Sequence, residues 1–152
     1  MKFSRFVLLL IVLLTLGAIT YFTYPLKIQY ILPTTDNIQN IQVIHITGGQ
    51  FLEYEFKNKQ EFMNHQNELV NILDAASFRR RVTHFQGATG DAIMIIFMYK
   101  DKDGNNRNYM VDYRESGTFM VENKDYQQYG KSKLTFDNLV AWLQKEGSLL
   151  KD

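Results

Sequence analysis

The chain has 152 residues, 45% of them hydrophobic and 22% charged, and a formal net charge of +1. This is the composition of an ordinary folded protein, which excludes a disordered or collagen-like chain. Beyond residue 26 there are 15 basic and 16 acidic residues, so this part lacks the positive charge that a nucleic-acid partner requires. The absence of cysteine excludes disulfides, thiolate catalysis, thiolate metal sites and lipid attachment through cysteine.

The first segment is apolar over its whole length and predicts a membrane-spanning helix. No charged residue occurs among the 21 residues from Phe6 to Leu26. As a helix, this run is about 31 Å long, which is one hydrocarbon thickness. Its far end carries a cluster of aromatic residues, as the ends of membrane helices do at the interface: Tyr21, Phe22 and Tyr24.

The charges that flank this segment predict its orientation. Lys2 and Arg5 precede it, and Lys27 is the one charge that follows closely. Positive residues are enriched on the cytoplasmic side of membrane helices. We therefore expect a single pass through the cell membrane, with the N-terminus in the cytoplasm and residues 27–152 outside.

Two interpretations of the segment compete, a retained anchor and a cleaved signal peptide. A cleavable signal has a shorter apolar core that ends in two small residues separated by one position. The best candidate, Leu16–Ala18, places leucine at the first small position, and the apolar run continues past it. A retained anchor is therefore favoured. A buried helix of a soluble domain fits less well, because every face of the segment is apolar.

The remaining residues divide into a short connector and one domain. Residues 1–26 form the anchor, and residues 27–37 are predicted to be an extended connector, because Pro33 disfavours helix just before it. Residues 38–152 are enough for one small domain with its own core.

This domain is predicted to contain about six strands and two amphipathic helices. The strand segments are 41–47, 51–57, 77–85, 92–99, 107–114 and 118–122. One helix covers residues 59–75, opened by a capping box of Asn58 and Glu61, and the last runs from a Thr135 cap to Gly147. The order β-β-α-β-β-β-β-α predicts an α+β fold with a mainly antiparallel sheet. The strand at 92–99 is apolar on both faces, which is typical of a central strand covered on both sides.

The stretch YKDKDGNNRNY, residues 99–109, is the most ligand-like run in the chain. In an EF-hand loop with Gly104 at the sixth position, Tyr99 and Met110 would occupy the first and twelfth positions, which require acidic ligands. The residues Asp, Gly and Asn are instead typical of a hairpin turn. We therefore predict that Asp101 and Asp103 belong to a turn that pairs residues 92–99 with 107–114.

No catalytic, cofactor or metal motif is visible in the sequence. The histidines are spread over three different elements without an HxxxH or HxH pair, which argues against a metal site: His45, His65 and His84. Serine catalysis lacks its GxSxG motif, and the GATGD stretch at 87–91 matches no nucleotide-binding fingerprint. We therefore predict no catalytic residues, no cofactor, no bound metal and no enzymatic activity.

Two polar segments are candidates for partner binding. The first contains Arg79, Arg80 and Arg81, which can contact anionic lipid, a cell-wall polymer or an acidic protein. In a strand, Arg80 faces opposite to its two neighbours, and the alternative is an edge strand kept soluble by charge. The second is the predicted loop 123–133, in which Tyr126 and Tyr129 offer rigid aromatic contacts or pack as in an ordinary loop.

Three stretches together resemble a family of small extracytoplasmic domains of Gram-positive bacteria, whose function is unknown. They are LPTTDNIQNIQVIHI, the hairpin MIIFMY…DG…NYMVDY, and FMVENKDYQQYGKSKLTFDNLVAWL. The resemblance covers residues 31 to 146 and implies a location at the cell surface, without an activity. Many relatives carry a lipid-bearing cysteine, which this chain lacks, so here the helix must serve as the anchor.

These features favour a non-enzymatic, membrane-tethered binding or accessory protein at the cell surface, with a protein or cell-wall polymer as its partner. An immunity protein that neutralises a toxin beside the membrane is the alternative. A cell-envelope enzyme is a third hypothesis, and it requires a cleft with converging carboxylates or histidines.

Overall fold

The computed structural model confirms the predicted α+β class: an apolar N-terminal helix precedes an antiparallel sheet and two further helices. It describes residues 2–33, 38–56, 62–84, 87 and 90–150. The helices are α1 (Lys2–Thr23), α2 (Phe62–Asp74) and α3 (Ser132–Glu146). The strands are β1 (Ile38–Thr47), β2 (Gln50–Glu55), β3 (Ser77–Arg80), β4 (Ala92–Lys100), β5 (Asn106–Arg114), β6 (Thr118–Val121), β7 (Lys124–Tyr129) and β8 (Ser148–Leu149).

All strand pairs within the described residues are antiparallel, in the order β3-β7-β6-β5-β4-β1-β2-β8. The β4–β5 hairpin lies near the middle of the sheet, and its register pairs Lys100 with Asn106. In the turn, Asp101 Oδ1 accepts hydrogen bonds from the backbone N–H of Asp103 at 3.0 Å and of Asn105 at 2.8 Å. The prediction that this stretch is a hairpin turn is therefore confirmed. The predicted pairing of the first two strands is also confirmed.

One face of the sheet forms the core with α2 and α3. On β4, Ile93, Ile95 and Phe97 point to this face and are almost completely buried. Phe136 of α3 stacks over Tyr113 of β5, with ring centroids 6.1 Å apart, so the last helix covers the centre of the sheet. Burying each large apolar side chain contributes about 1.5–3 kcal/mol, which makes this face the main source of stability.

The opposite face of β4 differs from the prediction. Met94, Ile96 and Met98 point away from the helices and remain half-buried. A continuous apolar run therefore does not reflect cover on both sides here. The neighbouring β5 places Met110, 41% exposed, beside Ile96 on this same face.

The predicted count of about six strands is wrong, because β7 and β8 are also present. Strand β7 lies inside the predicted loop 123–133. Its sequence KDYQQY lacks the alternation of apolar and polar residues that indicates a strand, because a polar residue takes an inward position. Gln128 is buried there, and its side-chain amide donates to Thr135 Oγ1 at 2.9 Å while its carbonyl accepts from the Tyr113 hydroxyl. These bonds offset the cost of burying the amide.

The helix boundaries also differ in detail from those predicted. Helix α3 begins at Ser132, so Thr135 lies inside it and not at its cap. The predicted strand 77–85 is shorter, with β3 ending at Arg80. The predicted capping box of Asn58 and Glu61 lies outside the described residues.

The predicted connector is packed against the domain where the structure describes it. Ile28–Tyr30 form a 3-10 helix, and Ile28 is fully buried. Just before it, Leu26 makes two backbone hydrogen bonds with Phe78 of β3, at 2.7 and 2.9 Å. The chain therefore joins the fold three residues after α1 ends at Thr23.

Two glycines with the same backbone conformation provide a test of how tightly α3 packs on the sheet. Gly104 (φ +81°) and Gly117 (φ +84°) both lie in the left-handed region. A Cβ at Gly104 meets nothing within 4 Å, whereas one at Gly117 would lie 2.8 Å from the Ser132 Cβ. We expect Gly104→Ala to lower the free energy of unfolding by about 1–2 kcal/mol from backbone strain alone. Gly117→Ala should lower it by roughly another 1–3 kcal/mol because α3 must shift.

Urea unfolding of the full chain in nonionic detergent measures both losses. Since backbone strain is common to the two variants, their difference measures the close contacts of a Cβ at Gly117, of which the shortest is to Ser132 of α3 and the next is to Gln127 Nε2 at 3.1 Å. Equal destabilisation of the two variants would contradict the described packing at Gly117.

Candidate functional site

Helix α1 is long and apolar enough to cross a membrane, judged by its length and composition. The segment Phe6–Thr23 has a mean hydropathy of 2.4, and none of it is buried. Large exposed side chains such as Leu8 (64%) and Leu14 (65%) lie on different faces of the helix. A helix that is apolar on all sides needs an apolar environment, and the described part of the domain does not supply one.

The last turn of α1 is attached to the edge strand β3 through Arg80. Its Nη1 donates to the backbone carbonyl of Tyr21 at 3.1 Å, and its guanidinium carbon lies 4.1 Å from the centre of the Tyr21 ring. The last four carbonyls of a helix have no partner within it and carry partial negative charge. A guanidinium at this place therefore satisfies a backbone acceptor and pairs with a ring face at the same time.

Tyr126 of β7 lies beside Arg80 on the neighbouring strand. It is the cross-strand partner of Arg80 and is only 6% exposed. Burial raises the pKa of the Tyr126 hydroxyl, and the nearby Arg80 charge opposes that increase. Tyr126 therefore stays neutral beside Arg80 and is buried in a strand, in contrast to the exposed contact expected from a loop.

The other two arginines lie on the opposite face of the sheet edge, as the alternation in a strand predicts. The Arg79 guanidinium stacks over the ring of Tyr129, which is its cross-strand neighbour on the diagonal. Arg81 Nη1 donates to the Thr118 hydroxyl at 3.1 Å. Each arginine is thus held in place by an aromatic ring or a hydroxyl, and the row of charges follows the edge of the sheet.

We call this region the α1-proximal surface. It consists of the end of α1 and the neighbouring parts of β3 and β7: Tyr21, Phe22, Arg79, Arg80, Arg81, Tyr126 and Tyr129. The structure brings all five sequence-predicted binding residues together here, although the two tyrosines come from a strand. Sequence analysis missed Tyr21 and Phe22 as members, because their contact with β3 depends on how the chain returns after α1.

Two open cavities flank this surface, on either side of Val82. One of about 280 Å³ is lined by Arg80, Arg81 and Lys124 together with the aromatic rings of α1. The other, about 450 Å³, lies beside Arg79 and Tyr129. Val82 contributes to both cavities and is 77% exposed. Cationic groups beside exposed apolar groups suit a ligand with an anionic head and an apolar tail.

Ionisable residues also converge at a cleft of about 370 Å³ between the sheet and α3. The Thr47 hydroxyl donates to Asp91 Oδ2 at 2.6 Å, and Lys133 lies 2.6 Å from Glu115. His45 is 6% exposed, and its Nε2 has no hydrogen-bond partner in the described part of the chain. Burial lowers the pKa of His45, which outweighs the opposing charge of Asp91. This cleft meets the shape requirement of the enzyme hypothesis, but its carboxylates are already engaged by a hydroxyl and an ammonium group.

No protein-family model, curated protein or solved structure matches the chain. The resemblance to extracytoplasmic domains of Gram-positive bacteria therefore stays a prediction. The α1-proximal surface combines the attachment of α1 to β3 with three arginines held by aromatic rings or a hydroxyl.

The depressed pKa of His45 predicts a specific pH dependence of stability. The folded protein holds this imidazole neutral below its ordinary pKa of 6.5, whereas the unfolded chain takes up a proton there. The free energy of unfolding should therefore decrease as the pH falls below 6.5. His45→Gln should show a weaker decrease, measured by urea unfolding at pH 7.5 and 5.5.

The matched control is His84→Gln, which removes an exposed histidine. An unchanged pH dependence in His45→Gln would show that the imidazole is not buried in its neutral form.

Proposed function

We propose that this protein is a single-pass membrane protein whose domain is held against the outer face of the cytoplasmic membrane by the α1-proximal surface. There it acts as a non-enzymatic binding or accessory protein for a partner at the cell surface. The observation that carries this proposal is the attachment of α1 to β3, through Arg80 on Tyr21 and through the Leu26–Phe78 backbone bonds.

The first support is the short distance between the helix end and the domain. Leu26 follows Thr23 by three positions along the chain, which span at most about 10 Å. The Debye length at physiological salt is about 8 Å. A membrane that contains α1 would therefore place β3 within roughly one Debye length of the lipid headgroups. At this distance the attraction between the arginines of β3 and anionic headgroups is only partly screened.

The second support is the chemistry of the surface. Guanidinium groups bind phosphate oxygens in pairs and are less strongly hydrated than ammonium groups. Each basic side chain near an anionic membrane contributes about 1 kcal/mol of attraction. Arg79 and Arg81, which lie on the same face of the sheet edge, together supply about 2 kcal/mol, enough to favour one orientation of the domain. Tyr21 and Phe22 at the end of α1 suit the interface itself.

The orientation follows from the charges that flank α1. Lys2 and Arg5 lie at the N-terminal end of α1, before the apolar span Phe6–Thr23, and Lys27 alone follows the span closely. The arginines of β3 belong to a folded domain far along the chain, so they weigh little in the choice of orientation. This difference in charge supports the proposed location of the domain outside the membrane.

Topology can be tested directly because the chain contains no cysteine. Single-cysteine variants are made in the exposed β4–β5 turn, Lys102→Cys, and at the N-terminal end of α1, Ser4→Cys, which leaves the flanking charges Lys2 and Arg5 in place. In intact cells, a membrane-impermeant maleimide should label Lys102→Cys and leave Ser4→Cys unlabelled until the cells are opened. Labelling in the reverse pattern, or of both sites, would exclude the proposed orientation.

Contact with anionic lipid is tested with the full chain in nanodiscs. Amide hydrogen exchange of residues 79–84 should be slower in nanodiscs that contain phosphatidylglycerol than in neutral phosphatidylcholine, because headgroup phosphates bind the arginines. Replacing Arg79, Arg80 and Arg81 together by glutamine should abolish this difference between the two lipids.

The matched control removes the same charge from the far hairpin, through glutamine at Lys100, Lys102 and Arg107. This variant should keep the lipid dependence of the wild type. If both triple variants respond alike, the effect is one of net charge alone and the α1-proximal surface has no special role.

A further inference from the structure

A second cluster of potential ligands lies where α2, α3 and β2 meet. His65 is buried on α2, and Glu68 stands one turn later on the same helix. Glu146, the last residue of α3, approaches both of them. One ligand atom from each residue lies within 4.8 Å of the other two, and His65 Nδ1 is 3.7 Å from Glu68 Oε2.

These distances suit a small metal ion. Two ligands at 2.0–2.1 Å from a tetrahedral ion lie about 3.4 Å apart. The His65–Glu68 pair is close to that separation already. The wider separations, up to 4.8 Å, close to this value by movements of up to about 1.4 Å, which glutamate side chains achieve by rotation about their own torsions. One imidazole and two carboxylates leave a fourth position open for water or another ligand.

The surroundings hold two of these ligands in place. The indole Nε1 of Trp142 donates to Glu68 Oε2 at 3.0 Å, which orients that carboxylate. Phe56 packs against both rings, with its centroid 4.9 Å from His65 and 5.1 Å from Trp142. In metal sites, hydrogen bonds and apolar side chains around the ligands fix the orientation of the coordinating groups.

We propose that His65, Glu68 and Glu146 bind a divalent transition-metal ion, for which Zn²⁺ is the best match. Imidazole with carboxylates favours Zn²⁺ and its neighbours in the first transition row over Mg²⁺ and Ca²⁺, which prefer all-oxygen sites. The ion joins α2 to the end of α3 and thereby adds a link across the helical layer. This site is independent of the α1-proximal surface, so either proposal can fail alone.

Lys145 is the group with which the metal competes. Its Nζ lies 2.5 Å from Glu146 Oε1, and its side chain is 78% exposed. An exposed ion pair of this kind contributes little and is readily displaced. The spacing that signals the site in the sequence is His65-x-x-Glu68 on one helix face, but its third member is 78 positions away along the chain from Glu68.

The test uses the full chain in nonionic detergent and Zn²⁺ alone, followed by titration calorimetry and tryptophan emission. Trp142 is the single tryptophan, and its N–H contacts a proposed ligand, so it reports on the site itself. We expect saturable binding of one Zn²⁺ with a change in emission, and no such change with Mg²⁺. Glu146→Gln should weaken binding at least tenfold. Lys145→Gln should tighten it, because a competing cation is removed.

The control is His84→Gln, which removes a histidine that lies 3.5 Å from a different carboxylate, Asp125. It should bind Zn²⁺ like the wild type. Absence of saturable binding, or wild-type affinity in Glu146→Gln, would overturn the proposal. Both Glu146 and Lys145 lie at the surface of α3, so their substitution tests the site without emptying the core.

Discussion

The register of the β4–β5 hairpin is the constraint on which the rest of the structure depends. Side chains alternate between the two faces of a sheet, so a slip of one residue would move Ile93, Ile95 and Phe97 from the core to solvent. The Asp101 carboxylate prevents this slip by accepting two backbone N–H groups of the turn. The hydrogen bond from the backbone N–H of Asn105 is the largest of the effects that lower the pKa of Asp101, and this keeps the carboxylate ionised. With this register, β1 pairs with β4, β6 pairs with β5, and the helices pack on one apolar face of the sheet.

The parts of the fold that the sequence predicts are those in which local pattern and burial agree. Residue spacing and turn residues predict the α+β class, the apolar N-terminal helix and the two hairpins at Gly48–Gly49 and at Asp101. The pattern fails at β7, where a buried Gln128 takes an inward position normally held by an apolar residue. Its hydrogen bonds to Tyr113 and Thr135 come from two other elements, so no local window contains the information that makes this strand stable.

The candidate sites also depend on contacts between residues that are distant in the sequence. The sequence identified the arginines and tyrosines of the α1-proximal surface, but not what joins them. That depends on the Leu26–Phe78 bridge, a contact between residues more than fifty positions apart. For the metal cluster, a spacing of three residues puts His65 and Glu68 on one face of a helix. Glu146 reaches them only through the tertiary fold, because β8, which follows α3, pairs with β2 through Leu149 and Tyr54.

Strand β3 lies at the edge of the sheet and also contacts the end of α1. As the first strand in the sheet order it is exposed to pairing with other chains, a hazard that proteins reduce with charge or with cover. Here both devices are present: Leu26 pairs with Phe78 on the open side, and the arginines follow the edge. The same Arg80 satisfies a carbonyl at the end of α1. Strand β3 thus contacts the end of α1 through Arg80 and pairs with Leu26 through Phe78. The surface proposed to contact lipid therefore also contains the contacts that hold the domain to α1.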